Sequence, residues 1–143
     1  MIEINIKNII TGNWKQNCYI ISNSYGKALI VDPGNDKEKI EDYIDSNGIN
    51  VIAILNTHAH FDHIGAVKYL KDKYNLPFFL HPADEKLLKT ANLYIKIFDG
   101  TGIIKIPSVN YFYDKNNMQQ FANSFKIEVV FTPGHTQGGV CLF

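Results

Sequence analysis

"NTHAHFDHIG", residues 56–65, packs three histidines and an aspartate into six consecutive positions of a 143-residue chain that holds five histidines in all. What lies on either side decides how that cluster is presented. Upstream, "VIAIL" (51–55) is apolar throughout, the pattern of a strand covered on both faces. Downstream, "DHIGAVKYLKDKYN" (62–75) brings Ile64, Val67 and Leu70 onto one helical face, with Asp62 near the helix start and Asn75 and Pro77 beyond its end. The cluster is therefore expected on a strand-to-helix loop.

Further out, "MIEINIKNII" alternates Ile2, Ile4 and Ile6 with polar residues, which predicts a half-buried strand. "NCYIIS" and "KALIVD", separated by the turn-forming "NSYGK", predict antiparallel partners, the third strand ending at "DPG" (32–34). "NDKEKIEDYIDSNG" predicts a helix that opens on capping residues and directs Ile40, Tyr43 and Ile44 inward. "PFFL" reads as a short strand. "HPADEKLLKTANLYIKIF" reads as one helix with Pro82 in its first turn and Leu87, Leu88, Ala91 and Ile95 inward. Residues 99–123 are expected to form a long loop beside the site. "FKIEVVF" then predicts a strand, "TPGHTQGG" (132–139) a glycine-rich turn and "VCLF" the start of another strand. Strands first, then alternating helix and strand, then strands again favour a layered α/β fold.

Composition excludes several function classes. Fourteen cationic and fourteen acidic residues cancel, so nothing in the charge balance points to nucleic acid or an anionic membrane. Every cation is lysine, so a substrate anion must be held by lysine, backbone amides or metal, without a bidentate guanidinium. No apolar run reaches membrane-spanning length. Cys18 and Cys141 show neither CxxC spacing nor a secretory context and are expected as reduced, buried thiols of a cytoplasmic protein.

Imidazole nitrogens and carboxylate oxygens suit zinc, iron and manganese, and structural zinc sites normally use thiolates that this chain does not offer in suitable spacing. A catalytic centre is therefore expected. His58 and His60, two apart on an irregular loop, can grip one ion, while Asp62 and His63 can address a second. Asp62 can equally serve as a helix N-cap, or do both. His135, in the glycine-rich turn, would complete a three-histidine set. Asp32 is a candidate acceptor for a ligand imidazole N–H, or a simple turn aspartate. His81 is expected to be structural.

"THAHFDHIG" followed by "TPGHTQGG" resembles the metallo-β-lactamase-fold hydrolases and, among them, the small glyoxalase II-like proteins. The resemblance runs from the first strand to Phe143. It implies a four-layer αββα sandwich, of which the sequence supplies the first half and the start of the second. It also implies one or two metal ions, zinc with iron or manganese as alternatives. His58, His60 and His135 would hold the first ion, and Asp62 and His63 would contribute to the second. His63 directly after Asp62 sets the chain apart from the group of lactamases that lack that following histidine, and His60 sets it apart from flavodiiron proteins, which carry an acidic residue there.

The family pattern continues to a bridging aspartate and a further histidine, which these residues do not contain. Residues 1–143 are therefore expected to be one domain, C-terminally incomplete, able to self-associate through an uncovered, unpaired terminal strand. The activity implied is hydrolysis of a small thioester such as a hydroxyacyl-glutathione, with metal-activated hydroxide oriented by Asp62. Alternatives are a mononuclear-iron persulfide dioxygenase-like enzyme and a non-catalytic metal-binding half-fold.

Overall fold

The computed structural model describes residues 2–100 and 102–143, so Met1 of the opening strand and Thr101 of the expected 99–123 loop lie outside the described residues. One six-stranded sheet runs in spatial order β1 (Ile4–Thr11), β2 (Gln16–Asn23), β3 (Lys27–Val31), β4 (Asn50–Leu55), β5 (Phe78–Leu80) and β6 (Tyr111–Phe112). The first three strands pair antiparallel; β3 to β6 are parallel, joined through helices α1 (Lys37–Ser46), α2 (Phe61–Ile64), α3 (Val67–Tyr74), α4 (Glu85–Lys89) and α5 (Ala91–Tyr94). A second, two-stranded antiparallel sheet, β7 (Val129–Phe131) with β8 (Val140–Leu142), follows the short helix α6 (Lys115–Met118).

The pleat splits the core in two. Ile20, Ala28, Ile30, Ile54, Phe78 and Leu80 meet Ile40 and Ile44 of α1, Val67 and Leu70 of α3, Leu88 and Ala91. The opposite sheet face presents Leu29, Val31, Ala53, Leu55 and Phe79 to Phe121, Phe125 and the partly buried Leu142 of β8. Full burial of each of the larger aliphatic and aromatic side chains contributes roughly 1.5–3 kcal/mol, so the central strands anchor both layers. This is the expected α/β sandwich: helices, a mixed six-stranded sheet and a second, two-stranded sheet. Among the described residues, no helix is long and apolar enough to cross a membrane.

Several local expectations are corrected. Ile4, Ile6 and Ile10 are 44%, 61% and 51% exposed, and β1 buries Ile9 and Thr11 instead. Ile6 pairs with Ile21, on the sheet face that packs against Phe121 and Phe125, but β1 is the sheet edge and Ile6 is not part of that cluster. The segment expected as a loop holds β6 and α6, and its Phe121 is core. The single helix expected after Pro82 breaks at Thr90, whose hydroxyl bonds back to the Lys86 and Leu87 carbonyls, and it ends in a wide π-type turn, Ile95–Asp99. Asp36 does not cap α1 with its side chain; the carboxylate accepts the Gly12 N–H at 2.9 Å. β8 is not unpaired, because β7 hydrogen-bonds along it. Cys18 is buried, and burial together with the charge of Asp32 pushes its thiol pKa far up, but Cys141 is exposed on the outward-facing position of β8.

Candidate metal centre

The histidines gather at the C-terminal edge of the parallel strands. β4 ends at Leu55, and Asn56 turns the chain. Its backbone N–H donates to the Phe79 carbonyl at 3.1 Å, and its fully buried amide donates to the carbonyls of His58 (3.2 Å) and His63 (2.8 Å). The loop is thereby folded onto itself before α2 begins.

The adjoining turn after β3 is equally constrained. Asp32 takes the left-handed conformation (φ 50°), unusual for a non-glycine residue, and is held there by what its carboxylate accepts. Oδ1 takes the Thr57 N–H at 2.7 Å, while Oδ2 takes the Thr57 hydroxyl at 2.6 Å and His63 Nδ1 at 3.1 Å. Gly34 follows because a β-carbon there would lie 1.9 Å from the Asp62 carbonyl oxygen; one at Gly65 would lie 2.2 Å from the Gly34 carbonyl oxygen. The two glycines let the "DPG" turn and the α2 turn cross in contact.

His135 arrives from the turn between β7 and β8, docked by the Val140 N–H on the Thr57 carbonyl at 2.9 Å. Its Nε2 stands 3.0 Å from His60 Nδ1. Two nitrogens on one tetrahedral zinc ion at about 2.0–2.1 Å would stand about 3.3 Å apart, so the pair is spaced nearly as coordination requires. His58, His60 and His135 offer ligand atoms within 4.8 Å of one another, and so do Asp32, His58 and His63. His58 belongs to both groups. Its Nδ1 meets the Thr57 hydroxyl at 2.9 Å, and its Nε2 is buried with no hydrogen-bond partner. An unpaired buried nitrogen in a ring of histidines is a costly arrangement unless the site takes an ion, so the residues present fit a metal.

The electrostatics agree. Burial pushes His58 down to about 3, helped by His63, His60 and His135, and burial followed by His135 lowers His60, so both rings are neutral electron-pair donors at physiological pH. At His63 burial opposes the imidazolium, but the hydrogen bond and charge of Asp32, with the charge of Asp62, outweigh it and raise the pKa.

Asp62 lies outside both groups, with Oδ2 3.6 Å from His63 Nε2. The helix-cap reading for Asp62 does not hold, since it lies within α2 and the N-cap position belongs to His60. Asp32 occupies the position expected of an outer acceptor, and His81 lies outside both groups, its Nδ1 capping the Pro82–Asp84 turn and its ring stacked on Phe131. Sequence reasoning missed Asn56, Thr57 and Asp84. Asn56 and Thr57 stood in the quoted motif, but only tertiary placement reveals what they hold. Thr57→Val should lower apo-protein stability by about 1 kcal/mol, because it removes one donor from Asp32 and the partner of His58 Nδ1; urea unfolding at unchanged m-value measures it.

Residues 11–143 match the family model described as the metallo-beta-lactamase superfamily. The chain belongs to that superfamily. Among curated metallo-beta-lactamase-fold relatives, it is 34% identical over 92% of its length to "Probable metallo-hydrolase YqgX" of Bacillus subtilis (strain 168), covering 62% of that protein. It is 27% identical to "Hydroxyacylglutathione hydrolase GloC" of Haemophilus influenzae, over 96% of this chain and 65% of the relative. Among solved structures, it superposes on BLEG-1 B3 metallo-beta-lactamase with TM-score 0.83 and 30% identity, covering 97% of this chain and 66% of that one. TTHA1623 in a di-iron-bound form gives TM-score 0.83 and 32% identity, with 96% and 66% covered. The chain thus spans just under two thirds of the length of these relatives. Its metal-binding site is consistent with a mono- or binuclear metallo-hydrolase of the superfamily.

Proposed function

We propose that the protein is a glyoxalase II-like thioester hydrolase, with residues 1–143 forming one domain of the sandwich. His58, His60 and His135 would hold a first ion, and Asp62 and His63 a second. The observation that carries this reading is His58, whose unpaired Nε2 belongs to a histidine shared by the two groups. The solved relative with two irons supports a binuclear centre, and the hydroxyacylglutathione hydrolase among the relatives supports the substrate class. Zinc is the first choice of metal, with iron or manganese accepted by the same donors.

When bound, such ions supply an activated water near neutral pH and polarise a carbonyl. The chain's own residues do the rest. His63 keeps its proton on Nδ1, facing Asp32, which leaves Nε2 free toward Asp62. Asp62 then orients the nucleophile as a hydrogen-bond acceptor. The departing thiolate is a good leaving group that needs little protonation, consistent with His58 and His60 held neutral. Beside His60 and His135 a cavity of about 290 Å³, lined by Leu87, Thr90, Tyr94 and Gln137, gives a small acyl carrier room to lie. A larger hollow of about 900 Å³, lined by Tyr113, Phe125 and Phe131, takes in none of the five metal-centre residues and is assigned no part in the chemistry.

The test measures metal per chain and turnover on the same preparation. Two ions per chain, with hydroxyacyl-glutathione cleaved at least tenfold more efficiently (kcat/KM) than a β-lactam, is the expected result. Two ions with no thioester cleavage would sink the substrate assignment. Oxygen uptake with glutathione persulfide would favour the dioxygenase reading in its place.

A further inference from the structure

His58 and His60 lie on one loop and His135 arrives 75 positions after His60, on a turn of the other sheet. Something must set the distance between the two loops, and a single buried carboxylate reaches both. Asp84 is 1% exposed, and such a group is almost never buried unless its oxygens are paired. Its Oδ2 accepts the Ala59 N–H at 3.0 Å, between His58 and His60, and the Thr136 hydroxyl at 2.9 Å, beside His135. Its Oδ1 accepts the Gly138 N–H at 2.6 Å. Gly138 packs so closely that a β-carbon there would lie 2.7 Å from the Asp84 nitrogen and 2.9 Å from its Cβ and Cγ. The carboxylate is itself fixed at the end of the Pro82–Asp84 turn, where the Asp84 N–H donates to the His81 carbonyl at 3.0 Å.

We propose that Asp84 is a positioning residue for the first metal site: it clamps the "THAH" loop to the "HTQGG" turn and sets the spacing of His135 against His58 and His60. Its carboxylate lies outside both groups of potential ligand atoms, so it acts through the histidines and not on an ion. The inference rests on the assignment of those three histidines as ligands, and goes beyond it by naming what holds them in register. Asparagine cannot replace Asp84, since its amide presents one acceptor and one donor. Whichever way it turns, its NH2 faces a backbone N–H, that of Gly138 or that of Ala59. The hydroxyl of Thr136 is the part of the clamp that can be removed with least injury to the fold.

The test is Zn2+ affinity by chelator competition, at a temperature well below the unfolding of each variant, for wild type, Asp84→Asn, Thr136→Val, Thr136→Ser and His135→Ala. Outer groups that orient metal-binding histidines cost about 10–100-fold in metal affinity when lost. Asp84→Asn and Thr136→Val should each weaken Zn2+ binding by about tenfold or more, and Thr136→Ser, which restores the hydroxyl, should return it to within about threefold of wild type. A structural role alone would lower the apo unfolding temperature and leave the affinity of the folded fraction unchanged; that result, or equal affinities for Thr136→Val and Thr136→Ser, overturns the clamp. Zn2+ affinity that His135→Ala leaves untouched would overturn the ligand assignment, and the purpose of the clamp with it.

Discussion

His58→Ala should leave the apo protein folded while abolishing its stabilisation by zinc. The ring is 8% exposed, it lies 4.9 Å, 4.0 Å and 5.0 Å (centroid to centroid) from His60, His63 and His135, and it is the one histidine common to both clusters. Two effects oppose each other in the apo state. The substitution empties part of a packed site, but it also removes a buried nitrogen with no partner, an arrangement that costs about 1–3 kcal/mol. The net change in apo stability is therefore small. With zinc the effects no longer offset. An ion present at a thousand times its dissociation constant stabilises the native state by about 4 kcal/mol. His60 and His135 alone cannot hold it, and because removing even an outer partner of a ligand costs about 10–100-fold, loss of the ligand itself should exceed that in affinity and in kcat/KM. Thermal unfolding with and without zinc is the measurement. A variant that keeps the wild-type zinc increment would show that the ion, if bound, is held elsewhere.

How much of this could be read from the sequence follows from the range of the interactions. Periodicity reports which face of an element is apolar, so the strand before the histidines and the burial of Ile40, Ile44, Ile64, Val67 and Leu70 were legible. The same alternation misled at β1, because period two says that one face differs from the other and not that a partner covers it; Ile4 and Ile6 face solvent. The break at Thr90 left no periodic trace, since Leu88, Ala91 and Ile95 stay buried on either side of it. At the site, the residue types that bind metal announce themselves by spacing. The residues that aim them do not. Asp84 reaches Ala59 across 25 positions and Gly138 across 54, and nothing local distinguishes it from a helix-start aspartate. Thr57 and Asn56 were hidden differently, in plain view beside histidines whose chemistry drew the reading. Asp32 was legible as an alternative because it ends a strand at the same sheet edge, which is where α/β folds gather their chemistry.

Asp32→Asn is the sharper of the two large changes, because it should remove one ion and spare the other. Asparagine tolerates the left-handed backbone that Asp32 adopts and fits the same space, so the turn should hold, with a loss of about 1–2 kcal/mol for the weaker acceptor. Its remaining oxygen can still take the Thr57 N–H now bound at 2.7 Å. Its amide nitrogen must then face the Thr57 hydroxyl, which can turn to accept, and His63 Nδ1, which stands 3.1 Å from the present carboxylate. A donor opposite Nδ1 drives the proton of a neutral His63 to Nε2, the nitrogen that faces Asp62 and that the second ion would need. His58, His60 and His135 keep their contacts with one another, so the first ion should stay. Metal analysis at saturating zinc should therefore fall from two ions per chain to one, with thioester turnover reduced by about 10–100-fold. Alanine at the same position would not make this distinction, since it would leave Thr57 and His63 unpaired and place a β-carbon in the left-handed region without a compensating bond, destabilising the fold by about 3 kcal/mol or more. Two ions retained at wild-type affinity in Asp32→Asn would mean that the imidazole of His63 is not oriented by Asp32, and that the second ion, if it binds here, takes its ligands without it.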